Sequence, residues 1–100
     1  MLVKLCDKSL LPSSELRSFR VRGREVLAVN ISGTVFCLDG RCSHAGAPLS
    51  EGTLEGEVLT CPWHYSQYNV TTGEVLRGPA DKPLHVYKVE EKENDLYVDL

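Results

Sequence analysis

Short apolar segments run along most of the chain and are separated by turn residues at nearly regular intervals. The segments HVYKV (85–89) and LYVDL (96–100) fit a half-buried antiparallel strand better than an amphipathic helix. No longer window has a convincing 3.6-residue period, so we expect little helix. The turn signals are Gly23, Gly33, Gly40, Gly56, Gly73 and the pair Asn94-Asp95. The predicted strands are 2–5, 16–22, 25–31, 34–39, 57–61, 67–71, 74–78, 84–91 and 95–100. The pattern therefore predicts an all-β fold of small antiparallel sheets.

One long segment, from Arg41 to about Leu54, lacks strand character and is predicted to be a functional loop. It contains Cys42-x-His44, and after sixteen further residues the chain continues with Cys61-x-x-His64. Two cysteines and two histidines could hold a tetrahedral zinc ion, although a single residue between paired ligands is tight for one zinc knuckle. The same spacing suits a two-iron cluster, in which neighbouring ligands go to different irons. A zinc-stabilised interaction module stays open as an alternative of another class.

The two-arm motif, with GRCSHAGAPLSEG, CPWHYSQYNVTTGE and the later GPA and KPL, resembles the Rieske [2Fe-2S] proteins. The resemblance covers almost the whole chain. It implies a single domain over residues 1–100, with a cluster-binding subdomain of two loops at about 40–80. That subdomain would be inserted in a sandwich-like or barrel-like β base formed by 1–39 and 81–100.

Roles for individual residues follow from the same resemblance. Cys42 and Cys61 would bind the inner iron of a single [2Fe-2S] cluster, and His44 and His64 would bind the outer iron at an exposed tip. Around the cluster, Gly46 can take a positive φ without steric cost, and Pro79 belongs to a loop that covers the cluster in this family.

The pattern resembles the soluble Rieske ferredoxins that feed ring-hydroxylating dioxygenases, yet Ser66 and Tyr68 stand where those ferredoxins commonly have glycine and phenylalanine. In high-potential members such hydroxyls donate to a bridging sulfide and to a ligand sulfur, and each stabilises the reduced form. Stabilisation by about 1–2 kcal/mol corresponds to about 40–90 mV for one electron. We therefore predict a potential above that of a typical dioxygenase ferredoxin. The alternative is a turn serine and a core aromatic whose hydroxyls reach water.

The composition and charge of the chain argue against several classes of function. A net charge of −3 gives no electrostatic reason to bind nucleic acid, and no apolar run is long enough to cross a membrane. No secretory signal is recognisable at the start of the sequence, so we expect a cytoplasmic protein. In a reducing compartment the four cysteines are better explained by metal binding or burial than by disulfides.

The resemblance implies a one-electron carrier and not an enzyme. Its expected donor is a flavin-dependent reductase, and its expected acceptor is a terminal oxygenase or another redox protein. A Rieske-like small subunit of a larger enzyme, such as nitrite reductase, is the alternative within the same fold.

Other residues receive simpler interpretations. Trp63 is expected to pack beneath the loops, although it could instead anchor a partner. Cys6 and Cys37 are expected to be small buried hydrophobic residues. His85 is expected to be exposed and outside the site. Arg41 and Arg77, which flank the cluster loops, are expected to be solvated arginines, with docking of an acidic partner as the alternative.

Overall fold

The computed structural model of the chain describes residues 1–43 and 46–100. Within these ranges it contains eleven strands and two short 3₁₀ helices, Lys8–Leu10 and Leu49–Glu51. The strands are β1 (Leu2–Asp7), β2 (Leu16–Val21), β3 (Arg24–Ile31), β4 (Thr34–Asp39), β5 (Thr53–Glu55), β6 (Val58–Thr60), β7 (Gln67–Asn69), β8 (Val75–Arg77), β9 (Val86–Tyr87), β10 (Val89–Lys92) and β11 (Asp95–Asp99). The predicted all-β class with small antiparallel sheets is confirmed.

Three antiparallel sheets organise these strands. The orders are β2-β3-β4-β9, β1-β11-β10 and β5-β6-β7-β8. The third sheet is built from residues 53–77 alone, and an isolated bridge between Arg41 and Pro48 precedes it. No helix in the described ranges has the length and hydropathy that crossing a bilayer requires.

Strand β3 is buried on both of its faces. Leu27 and Val29 belong to an apolar cluster shared with the third sheet, whereas Val26 and Ala28 belong to a second cluster shared with β1 and β11. Because successive side chains of a strand point to opposite faces, this alternation places β3 between two cores. One of these cores includes Cys42 and Cys61.

Three hairpins close through two-residue turns in which both residues have positive φ. These turns are Arg22-Gly23, Ser32-Gly33 and Glu93-Asn94. Such turns match the right-handed twist of the strands they join. In the last hairpin the turn is one residue earlier than the Asn94-Asp95 pair that the sequence pattern indicated.

One predicted strand and one predicted loop need correction. The predicted strand 84–91 is two strands, because β9 pairs with β4 whereas β10 pairs with β11, and the chain changes sheet at Lys88. The predicted loop from Arg41 to Leu54 contains a 3₁₀ helix and the start of β5. Strand β5 has three residues, of which only Leu54 is partly buried, so it leaves no readable alternation in the sequence.

Candidate metal centre

The first loop of the candidate site lies between β4 and the 3₁₀ helix Leu49–Glu51. The Cys42 N–H donates to the Ala47 carbonyl at 2.9 Å, and the Gly46 N–H donates to the Cys42 carbonyl at 2.9 Å. Gly46 has a φ of 72°, in the left-handed region that favours glycine. The loop therefore turns back on itself directly after Cys42, whose side chain is buried. His44 and Ala45 lie outside the described residues.

The second loop connects β6 to β7. These strands pair through Thr60 and Gln67, and beyond them the Cys61 N–H donates to the Ser66 carbonyl at 2.8 Å. Cys61 is fully buried, whereas the neighbouring His64 is exposed. The hairpin thus holds one cysteine at its base and presents a histidine at its tip.

Cys42 is close enough to Cys61 to affect the pKa of its thiol. Burial raises the pKa of the Cys61 thiol, and proximity to Cys42 contributes in the same direction. The backbone N–H groups of Trp63 and His64 donate toward the Cys61 sulfur and lower its pKa. Such donors stabilise an anionic sulfur, the form in which cysteine binds a metal.

Tyr68 lies directly beneath the first loop. It is fully buried, and its hydroxyl oxygen is 3.1 Å from Cys42 Sγ, 3.0 Å from Ser43 Oγ and 3.3 Å from the Ser43 backbone nitrogen. Burial, followed by the contact with Cys42, raises the pKa of Tyr68 to about 12. The phenol therefore stays protonated at physiological pH and can donate to a cysteine sulfur. The alternative in which this hydroxyl reaches water is wrong.

Ser66 connects the second loop to the segment that contains Pro79. Ser66 is fully buried, and its Oγ accepts a hydrogen bond from the Ala80 N–H at 3.0 Å. Pro79 itself is exposed beside this contact. Because Oγ acts as an acceptor here, its own hydrogen remains available to a further acceptor.

Ser43 is a member of this network that sequence reasoning missed. Its Oγ donates to the Lys82 carbonyl at 2.7 Å and also lies near the Tyr68 hydroxyl. Its place between Cys42 and His44 in the first motif was the available signal. The identity of its partners depends on tertiary packing.

The other residues singled out in the sequence lie in different environments. Trp63 is 54% exposed and the adjacent Tyr65 is 70% exposed, so the expectation that Trp63 packs beneath the loops is wrong. Cys6 and Cys37 are buried, as predicted, and none of the four cysteines, all within the described ranges, forms a disulfide. His85 is exposed and packs edge-on against Tyr87, with ring centroids 4.5 Å apart.

The number of protein ligands that the site offers decides which kind of metal centre it can hold. In residues 1–43 and 46–100, no three His, Cys, Asp or Glu side chains converge as ligands of one metal ion. A Rieske cluster does not need three, because each iron takes only two protein ligands. Two buried sulfurs, with hydrogen-bond donors directed at them and a histidine at the tip, fit such a cluster.

Sequence comparison places this geometry in a family. The model of the Rieske [2Fe-2S] domain matches residues 1–88. The chain belongs to the Rieske [2Fe-2S] domain family. This Rieske domain is 37% identical to ferredoxin CarAc of Metapseudomonas resinovorans, an alignment that covers 96% of this chain and 91% of that protein. It is 35% identical to the ferredoxin component of biphenyl 2,3-dioxygenase from Rhodococcus jostii (strain RHA1), with 99% and 92% covered.

Solved structures agree with this assignment. The Rieske domain superimposes with a TM-score of 0.90 on a chain in a complex of reduced oxygenase and oxidised ferredoxin in carbazole 1,9a-dioxygenase. Identity there is 35%, with 97% of this chain and all of that chain covered. The ferredoxin of carbazole 1,9a-dioxygenase from Nocardioides aromaticivorans IC177 gives a TM-score of 0.92 at 28% identity, with 98% and 96% covered.

These relationships confirm the predicted class of function. The chain carries one Rieske [2Fe-2S] cluster and is an electron carrier, without a catalytic function of its own. Neither the zinc-module alternative nor the nitrite-reductase alternative is favoured by these matches.

Proposed function

We propose that Cys42 and Cys61 bind one iron of the cluster and that His44 and His64 bind the other. The observation that carries this assignment is the pair of buried, mutually interacting cysteine side chains at the bases of two neighbouring loops. The exposed position of His64 supports its role at the outer iron. His44 is assigned from its place in the sequence motif.

We further propose that residues 40–80 act as the cluster-binding subdomain, on a base formed by 1–39 and 81–100. Support comes from the third sheet, whose strands all lie within residues 53–77 and which carries the second loop between β6 and β7. The contact between Ser66 and Ala80 holds the segment of Pro79 against this sheet. Gly46, Ser66, Tyr68 and Pro79 would surround the cluster.

The bound cluster supplies a centre that accepts and returns a single electron. The residues of this chain keep that centre in a defined environment. The backbone N–H groups of Trp63 and His64 and the hydroxyl of Tyr68 point at the two cysteine sulfurs and favour added negative charge. The apolar cluster around Cys42 and Cys61 excludes water from the inner side.

The proposed partners are a flavin-dependent reductase as donor and a terminal oxygenase as acceptor. Support comes from relatives that are ferredoxin components of dioxygenase systems and from the carbazole dioxygenase complex. The exposed side chains of Trp63, His64 and Tyr65 offer a docking face at the cluster tip. We also propose a cytoplasmic location, where thiols such as Cys6 and Cys37 stay reduced.

The ligand assignment can be tested with His64→Cys and the matched control His85→Cys, since both histidines are exposed. A third thiolate adds negative charge to the cluster, so His64→Cys should lower the reduction potential sharply and change the EPR g values of the reduced protein. The control should leave both unchanged. An unaltered potential in His64→Cys, with the cluster present, would remove His64 from the ligand set.

A further inference from the structure

Arg41 is bound on both sides by groups from different parts of the chain. Its Nη2 lies 3.2 Å from Oε1 of Glu25 on β3, and its Nη1 donates to the Gly46 carbonyl at 2.9 Å. Glu25 is the more enclosed member of the ion pair, with 18% of its side chain exposed against 54% for Arg41. The guanidinium therefore links β3 to the far end of the loop that begins at Cys42.

The backbone around this ion pair is built to bring Glu25 close. The Gly40 N–H donates to the Glu25 carbonyl at 3.0 Å, and the Leu49 N–H donates to the Gly40 carbonyl at 3.0 Å. A Cβ at Gly40 would lie 2.8 Å from Cγ of Glu25 and 3.0 Å from its carbonyl oxygen, closer than side chains tolerate. Glycine at position 40 thus allows the loop to start directly against Glu25.

We infer that Arg41, held by Glu25, is a positioning residue that fixes the first cluster loop against the β base. The inference rests on the proposed assignment of Cys42 as a ligand. The hydrogen bonds from the Cys42 N–H to the Ala47 carbonyl and from the Gly46 N–H to the Cys42 carbonyl close a small ring, whose Cys42 end contacts Tyr68. The contact from Arg41 to the Gly46 carbonyl attaches this small ring to β3, and so limits how far Cys42 can move from the cluster.

A planar guanidinium suits this task because it has several N–H donors in a fixed arrangement. Two of its nitrogens serve two different acceptors here. A lysine ammonium would keep the charge but concentrate its donors at one atom. The exchange Arg41→Lys therefore separates positioning from the electrostatic effect of a positive charge near the cluster.

The test measures the rate of cluster loss in the holoprotein, followed as bleaching of the visible absorbance with an iron chelator present. We expect Glu25→Gln to lose its cluster faster by up to about five-fold, which is the upper end for a single ion pair near the surface. Arg41→Gln loses both contacts and should be faster still. The double variant should match Arg41→Gln alone, since Glu25 acts through Arg41.

A matched control is available in the pair Arg17 and Glu15, whose nitrogen and oxygen are 3.4 Å apart and whose side chains are 46% and 45% exposed. Glu15→Gln and Arg17→Gln should lose the cluster at the rate of the unmodified protein. EPR of the reduced protein provides a second measurement, because a displaced loop broadens or shifts the g values. Arg41→Lys should fall between the unmodified protein and Arg41→Gln in both measurements.

The inference is overturned if Glu25→Gln and Arg41→Gln keep the cluster as long as the controls do, or if their effects add in the double variant. Should Arg41→Gln fail to fold, judged by circular dichroism, Glu25→Gln and Arg41→Lys still decide the question. Failure of the ligand assignment is recognised separately, because Cys42→Ala would then keep the EPR signal of a nitrogen-ligated [2Fe-2S] cluster, whatever the Arg41 and Glu25 variants do.

Discussion

The hydroxyl oxygen of Tyr68 lies 3.1 Å from the sulfur of Cys42, in a fully buried contact between residues 26 positions apart. Either atom could donate when Cys42 is a thiol. When Cys42 is a metal-bound thiolate, only the phenol has a proton to give. In the proposed cluster-bound state the contact is therefore directional, and it stabilises negative charge on the sulfur.

Replacing Tyr68 with Phe should lower the reduction potential. The substitution removes a donor that favours the reduced form, and a differential effect of about 1–2 kcal/mol corresponds to about 40–90 mV. Protein-film voltammetry measures the change directly. Tyr97→Phe on β11, where the ring lies near the Lys92 ammonium, is the control and should leave the potential unchanged. An equal potential in Tyr68→Phe would make this hydroxyl a bystander, and the prediction of a raised potential would lose its main support.

Replacing Ser43 with Ala should change the potential in the opposite direction. The Ser43 hydroxyl gives its own proton to the Lys82 carbonyl, so it faces the Tyr68 hydroxyl as an acceptor. The single proton of Tyr68 is then shared between Ser43 and Cys42. Without Ser43 Oγ this proton goes to the sulfur alone, so the reduction potential should rise. The rise should be smaller than the fall in potential caused by Tyr68→Phe.

Two measurements check this competition. Ser43→Ala is compared with Ser18→Ala, which alters an exposed serine on β2. In the double variant Ser43→Ala with Tyr68→Phe, the rise should disappear, because no phenolic proton remains to redistribute. A rise that persists in the double variant would contradict the competition.

Trp63 and Tyr65 should contribute to docking and leave the cluster chemistry unaffected. Both side chains are mainly exposed and flank His64, and aromatic residues at such positions commonly anchor protein partners. Trp63→Ala and Tyr65→Ala should raise the ferredoxin concentration needed for half-maximal electron delivery to a terminal oxygenase by about ten-fold, with the potential unchanged. Leu10→Ala is the control, since Leu10 is 53% exposed in the 3₁₀ helix Lys8–Leu10. Unchanged concentration dependence in both aromatic variants would place docking elsewhere.

Cys37 should resist alkylation until the protein unfolds. Burial, with a smaller contribution from Cys6, raises the pKa of its thiol to about 12. At pH 8 the reactive thiolate is therefore about a thousand-fold rarer than for a thiol with its usual pKa near 9. Iodoacetamide labelling followed by peptide mass spectrometry should find Cys37 unmodified in the native holoprotein and modified in denaturant.

The same shift gives Cys37 a defined effect on stability. The folded protein favours the neutral thiol, so this contribution is complete below pH 9 and is lost as the pH rises toward 12. Between those values the free energy of unfolding should decline less steeply in Cys37→Ala than in the unmodified protein. Parallel declines in the two proteins would contradict the assigned pKa.

The features that the sequence determined by itself are local ones. The hairpins could be predicted because the two-residue turns at Arg22-Gly23 and Ser32-Gly33 are formed by residues adjacent in the sequence. The two-arm motif and its family are equally readable, because the spacing within Cys42-x-His44 and Cys61-x-x-His64 is itself the signal.

Tertiary structure alone decided the contacts between distant segments. The change of sheet at Lys88 depends on which neighbours β9 and β10 find, and nothing within HVYKV marks it. The approach of Tyr68 to Cys42 and of Glu25 to Arg41 depends on how β7 and β3 pack against the first loop. Residue type decides whether a side chain can donate or accept a hydrogen bond, but packing decides which partner it meets. The motif therefore identified the candidate centre, while the fold selected the residues that surround it.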